Sequence, residues 1–196
     1  GAKHFLKLKN FKNEQILENI LQTSNSTLSS LTLLSFLDQM ASKSPTPGGG
    51  SASALSGALA AALISMIANL TLNSKKYESV HPEMKKLLTN SEKLRQRLYE
   101  LIEEDAKSYN KVIQAYKSKD HEQIEKALKE ASNTPLETAK TAIHLLDLIK
   151  IAAAKGNKNA ASDCGVAAYL TQTAVKGAIL NIQINLNSIK DKTFIR

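Results

Sequence analysis

Asp105 stands on a helical seam whose other members are almost all apolar. Leu87, Leu94, Leu98, Leu101, Tyr109, Val112 and Tyr116 step along the chain by threes and fours, the spacing of one helix face, and Asp105 falls in line with them. Moving a carboxylate out of water is costly unless the group is paired or put to use. Burial raises its pKa, which suits a group that must exchange protons near neutral pH. The spacing also admits a plainer reading, a carboxylate at the edge of the seam paired with Lys107. Two further acids are candidates. Glu130 lies beside Ala127 and Ala131 near the end of a short helix, and taken alone it reads as a surface residue. Asp163 sits early in a helix next to a long uncharged run, where a negative charge is also favoured by the helix dipole alone. The fourth feature is Pro45-Thr46-Pro47-Gly48-Gly49-Gly50-Ser51, a glycine-rich lead into a helix. Such a start exposes backbone amides and suits anions. It lacks the Gly-Lys-Ser/Thr ending of a Walker loop, and it serves equally well as a tight turn that lets the next helix pack closely.

Other chemistries find less support. His4, His81, His121 and His144 show no metal-ligand spacing with cysteine, so no metal site is expected. His144 and Asp147 share a helix face, but no serine nucleophile motif accompanies them. Cys164 has no second cysteine to pair with and reads as a small buried residue.

The elements that must position these residues are helices. An amphipathic helix is predicted over residues 5–22, followed by a polar break, and a second helix over 29–43, stopped by Pro45 and Pro47. An uncharged, Ala-rich helix over 51–73 follows, predicted to be buried on all sides. Its Ser53, Gly57 and Ala61 form a stripe of small side chains that another backbone can approach. A long helix starts near Pro82. Asp120 with Gln123, and Thr134 with Glu137, each resemble a capping box, which predicts a short helix from 120 and a new one from 134 to about Gly156. The last helix is predicted from about Asn159. Residues 181–187 alternate polar and apolar like a strand, but with no partner strand in sight the backbone is best satisfied as helix. The expected fold is an all-α antiparallel bundle of about six or seven helices around the Ala-rich one. Its domains are an N-terminal helix and linker at 1–30 and a single helical domain at 31–196.

Composition agrees. In 196 residues, 42% are hydrophobic, 5% are aromatic and none is Trp, so the core must be Leu, Ile and Ala, which favours packed helices. The single cysteine precludes a disulfide framework within the chain and points to a reducing, cytoplasmic setting. The first ten residues lack the apolar core of a signal peptide. The net charge of +8 is spread over lysines mixed with glutamates and has no nucleic-acid motif beside it, so no nucleic-acid partner is expected. Residues 44–74 carry no charge and are long enough to span a bilayer. Their alanines and serines gain little from lipid, however, so no membrane partner is expected either.

Taken in order, several segments resemble one family. They are Pro45–Ser51 with the Ala-rich helix after it, Ala68-Asn69-Leu70-Thr71, Lys75-Lys76-Tyr77-Glu78, Glu104-Asp105-Ala106, Leu128-Lys129-Glu130-Ala131 with Thr134-Pro135-Leu136, the run from Gly156 to Ala168, and Ala178 to Leu186. The ordered set is similar to the cyclodeaminase domain of formiminotransferase-cyclodeaminase and equally to stand-alone bacterial methenyltetrahydrofolate cyclohydrolases, over roughly Leu31 to Thr193. The resemblance implies an all-α homodimer that binds a tetrahydrofolate derivative in a groove between helices, with no cofactor beyond that substrate. It implies that Asp105 is the leading catalytic residue and Glu130 its support. It further implies that Gly48, Gly49, Gly50, Ser51, Tyr77, Asn157, Asn159, Asp163, Asn181 and Asn185 line or support the pocket. The implied reaction is closure of 5-formiminotetrahydrofolate to 5,10-methenyltetrahydrofolate with release of ammonia. The alternative is hydrolysis of the methenyl compound to 10-formyltetrahydrofolate. A non-catalytic helical dimer is a third reading, opposed by the retention of Asp105, Glu130 and Asp163.

Overall fold

The computed structural model describes residues 27–195; the helix expected over 5–22 lies outside them. Seven α-helices occur among the described residues: α1 (Leu33–Met40), α2 (Gly49–Leu72), α3 (His81–Ser118), α4 (His121–Ile143), α5 (Leu145–Lys155), α6 (Ala161–Ser188) and α7 (Lys192–Ile195). Short 3-10 turns cover Leu28–Ser30, Lys75–Val80 and Lys158–Ala160. No strand occurs among the described residues, and 181–187 is helical within α6. The all-α bundle expected from periodicity is the fold observed.

Helix α2 runs antiparallel to both α3 and α6. Its residues 51, 57 and 65 meet α3 at 102, 98 and 91, while its residues 49, 53 and 57 meet α6 at 181, 177 and 174. The small-residue stripe makes this closeness possible. A Cβ on Gly57 would sit 2.9 Å from a Leu98 methyl, and one on Gly177 would overlap the Ser53 hydroxyl. Ile64, Ile67, Met84, Leu87, Leu98, Leu101 and Leu145 are fully buried around this junction. A smaller apolar cluster, Val112, Leu128, Ala131 and Ile189, joins α3, α4 and the end of α6.

Several element boundaries differ from those expected; the helix expected to reach residue 43 ends at Met40. The helix expected over 29–43 is interrupted because the Thr32 hydroxyl accepts from the Ser35 N–H and restarts the helix there. Thr134 starts nothing: Pro135 lies inside a continuous α4, and the break comes instead at His144. A proline cannot bond the carbonyl four residues back, and here the Ala131 carbonyl accepts from the Asn185 side chain of α6 at 3.2 Å. Tertiary structure thus satisfies the acceptor that Pro135 leaves open. Asp120 does cap α4, accepting from the N–H groups of Glu122 and Gln123.

Nor is α2 buried on all sides. By length and composition it could cross a membrane, and half of its most apolar window is buried in the bundle. The other side leaves Leu59, Met66 and Leu70 exposed, with Leu55 and Leu63 half-buried along the same stripe.

Candidate functional site

The N-terminal end of α2 meets the middle of α3 at Asp105. Gly48 is the N-cap residue and has no side chain of its own to cap the first turn. The first N–H groups of a helix have no partner within it and carry a partial positive charge. The Asp105 carboxylate is drawn to this end. Ser51 Oγ lies 2.9 Å from Asp105 Oδ2 as donor, and it is equally within reach of the Ile102 carbonyl at 3.1 Å. Burial pushes the Asp105 carboxyl above its ordinary value; the Ser51 hydroxyl and the Ser51 backbone N–H pull the other way without cancelling it. The plainer pairing with Lys107 does not form, because Lys107 lies 3.7 Å from Glu103 instead.

A cavity of about 180 Å³ opens in front of this carboxylate. One side is the glycine-rich lead, Thr46 and Gly48–Gly50, reached through a cis Thr46–Pro47 bond. Another is α6, which contributes Asn181 and Asn185. The Asn181 side-chain amide donates to the Gly177 carbonyl one turn back, and that of Asn185 donates to Ala131 across to α4. Each asparagine is thereby held in place, with its side-chain oxygen available as an acceptor. Ser108 and Tyr109 also line the cavity, although the sequence reading assigned them no role there. The signal was present: they follow Asp105 by three and four residues and so share its helix face.

Of the expected site residues, Asp105, Gly48, Gly49, Gly50, Ser51, Asn181 and Asn185 come together. Ser51 supports the cavity and does not line it. Its side chain is fully buried and bonded to Asp105.

The remaining expected residues lie elsewhere in the protomer. Glu130 is exposed on α4 and lines a separate depression with Lys126 and Lys129. Tyr77, Asn157 and Asn159 gather at the opposite end of α2: the Tyr77 hydroxyl accepts from the Lys158 N–H, the Asn157 N–H donates to Thr71 Oγ1, and the Asn157 side chain accepts from the Asn159 N–H. Asp163 stands nearby in the first turn of α6. From Gly50 to Thr71 the helix rises about 32 Å, so one protomer presents two separate poles. Cys164 is buried, as expected, and burial pushes its thiol up.

Comparison with known proteins supplies the context. A family model described as formiminotransferase-cyclodeaminase matches residues 32–196. A methenyltetrahydrofolate cyclohydrolase of Methylorubrum extorquens is 41% identical over 172 residues, covering 83% of each chain. The formimidoyltransferase-cyclodeaminase of Mus musculus is 30% identical over 192 residues, which span 92% of this chain but 36% of that longer protein. The crystal structure of formiminotetrahydrofolate cyclodeaminase from Thermotoga maritima superposes with a TM-score of 0.80 at 39% identity, covering 84% of this chain and 83% of that one. With the match running from Thr32 at the cap of α1 through every helix that builds the Asp105 cavity, the chain belongs to the formiminotransferase-cyclodeaminase family.

Proposed function

We propose that this protein acts on the one-carbon unit carried between N5 and N10 of a reduced folate, closing 5-formiminotetrahydrofolate to 5,10-methenyltetrahydrofolate with release of ammonia. The observation that carries the reading is Asp105: a half-buried carboxyl, pushed above its ordinary value by desolvation, facing a cavity that α2, α3, α4 and α6 enclose together. In the reaction, N10 attacks the formimino carbon and gives up its proton, and the nitrogen that leaves must gain one. A single carboxylate that first accepts and then returns a proton serves both steps. Because Glu130 lies outside this cavity in the protomer, the proton steps are assigned to Asp105 alone.

The second reading is methenyltetrahydrofolate cyclohydrolase, favoured by the 41% identical relative of that name. There water attacks the same carbon, and Asp105 would take the proton from water. The deciding experiment offers each folate to the purified protein and follows methenyl absorbance together with ammonia. Methenyl formation with stoichiometric ammonia supports the cyclodeaminase. Consumption of the methenyl compound without turnover of the formimino compound replaces it with the cyclohydrolase. Failure to bind any reduced folate defeats both.

The homodimer is proposed on the exposed stripe of α2. That stripe is self-complementary about a point between Ala62 and Leu63: an antiparallel copy sets Leu59 against the partner's Met66 and Leu55 against the partner's Leu70. No charged side chain lies on the stripe, so like charges do not face each other across the twofold axis. The same pairing sets the Gly48–Ser51 end of one protomer beside the Tyr77 and Asn157 end of the other.

A further inference from the structure

The Ser51 hydroxyl has one proton and two acceptors in reach, Asp105 Oδ2 at 2.9 Å and the Ile102 carbonyl at 3.1 Å. The Ser51 side chain is fully buried, so its hydroxyl has these two acceptors to choose between, while Asp105 also faces the cavity. One proton cannot serve two acceptors at full strength. The arrangement fits two alternative states. With Asp105 ionised, Ser51 donates to Oδ2. With Asp105 protonated, the acid donates to Ser51 Oγ, and the serine proton turns to the Ile102 carbonyl. Neither state leaves a buried polar atom without a partner, and an unmade buried hydrogen bond is what would otherwise lock the acid in one form.

We propose that Ser51 is a positioning residue that keeps Asp105 hydrogen-bonded in both protonation states by swinging its single hydroxyl proton between Asp105 Oδ2 and the Ile102 carbonyl. This rests on Asp105 being the acid/base of the proposed reaction. The surroundings leave the task to Ser51. Around the carboxylate α2 brings Gly50, α4 brings Ala131, and α6 brings Asn181 and Asn185, none of them titratable. Tyr109 on α3 is the one titratable neighbour lining the cavity among the described residues. The charged side chains flanking Asp105 on its own helix are engaged elsewhere, Glu104 with Arg97 and Lys107 with Glu103.

The test is a carbon-13 carboxyl titration of Asp105 in the free protein, with the resonance assigned by its loss in Asp105→Asn, beside the pH profile of kcat. A hydrogen bond to the charged form is worth more than one to the neutral form, so Ser51→Ala should raise the titration midpoint by about one pH unit. The acid limb of kcat should move with it, while KM changes less than threefold. Ser51→Thr, which retains the hydroxyl, should bring the midpoint back toward the native value. Ser51→Cys, a weaker donor of similar size, should fall between and replaces the alanine variant if that does not fold. A midpoint unmoved or lowered in Ser51→Ala or Ser51→Cys overturns the proposal, as does a Thr variant that folds yet titrates like Ala. The carboxyl titration needs no substrate. A protein that turns over no folate but shows the shift loses the proposed reaction and keeps the Ser51–Asp105 linkage. Folate turnover without the shift does the reverse.

Discussion

The carboxylate of Asp105 rests so closely against the backbone of Gly50 that a Cβ at position 50 would overlap all three of its carboxyl atoms. Glycine is required here for the approach of α2 to α3, with no left-handed backbone involved, since no glycine among the described residues has positive φ. Gly50→Ala should therefore displace the acid while the bundle still forms. Ångström-scale misplacement of a reacting group costs about 100-fold in rate, and kcat/KM should fall at least that far with the helical circular dichroism spectrum retained. Native-like turnover in a folded Gly50→Ala protein would remove Asp105 from the reaction.

Asp105→Asn should lower turnover by about 100- to 10,000-fold, the range for a positioned acid/base, while reduced-folate binding persists. It should also stabilise the protein. The folded-state pKa of Asp105 lies above the unfolded one, so the native state binds the proton more tightly than the unfolded state. The group's stabilising contribution is then fully present below the unfolded value, ordinarily about 4, and is lost as pH rises through the folded value. Each tenfold change in the ionisation constant corresponds to about 1.4 kcal/mol. Thermal unfolding should show Asp105→Asn gaining over the native chain at neutral pH, with the gain shrinking on acidification toward pH ~4. A variant less stable than the native chain at neutral pH contradicts this linkage.

Pro135 and Asn185 should be energetically coupled. Asn185 supplies the hydrogen bond that Pro135 denies to the Ala131 carbonyl. Asn185→Ala should cost about 1–3 kcal/mol in the native background, the range for leaving a buried acceptor unmet. In Pro135→Ala the restored N–H can bond Ala131 within α4, and the same asparagine substitution should cost less by at least about 0.5 kcal/mol. A double-mutant cycle in urea reads the difference; strict additivity would mean that the asparagine acts only as a cavity wall.

Met66→Glu places a charge beside the proposed twofold axis, facing the partner's Leu59. Light scattering should show a dimer for the native chain and a monomer for the variant. Since Met66 is partly exposed in the protomer, 37% by area, the variant should stay folded and helical. A native chain that is monomeric at micromolar concentration, or a variant that remains dimeric, moves the interface off α2.

The sequence by itself determined the all-helical class and singled out Asp105. Three- and four-residue spacing and the Asp120 cap depend on near neighbours, so the course of α3 and the start of α4 could be read from the chain, while 181–187 alternates like a strand and reads as helical only for want of a partner strand. Asp105 stood out for the same reason, a polar residue on an apolar stripe. Local signals failed where a distant group intervened. Thr134-Pro135 has the pattern of a helix start, yet α4 continues because Asn185, fifty residues later, meets the carbonyl that the proline leaves open. Which acids meet is likewise a property of tertiary packing. Glu130 and Asp105 are comparable as residue types, but the rotation of α4 turns Ala131 to the cavity and Glu130 to solvent. The motif set that ran continuously along the sequence is divided between the two ends of α2, because an antiparallel bundle sends its connections to opposite ends. Only the packed structure could separate Tyr77 and Asn157 from Asp105 by the length of a helix, and only it could give the buried Ser51 hydroxyl two acceptors for one proton.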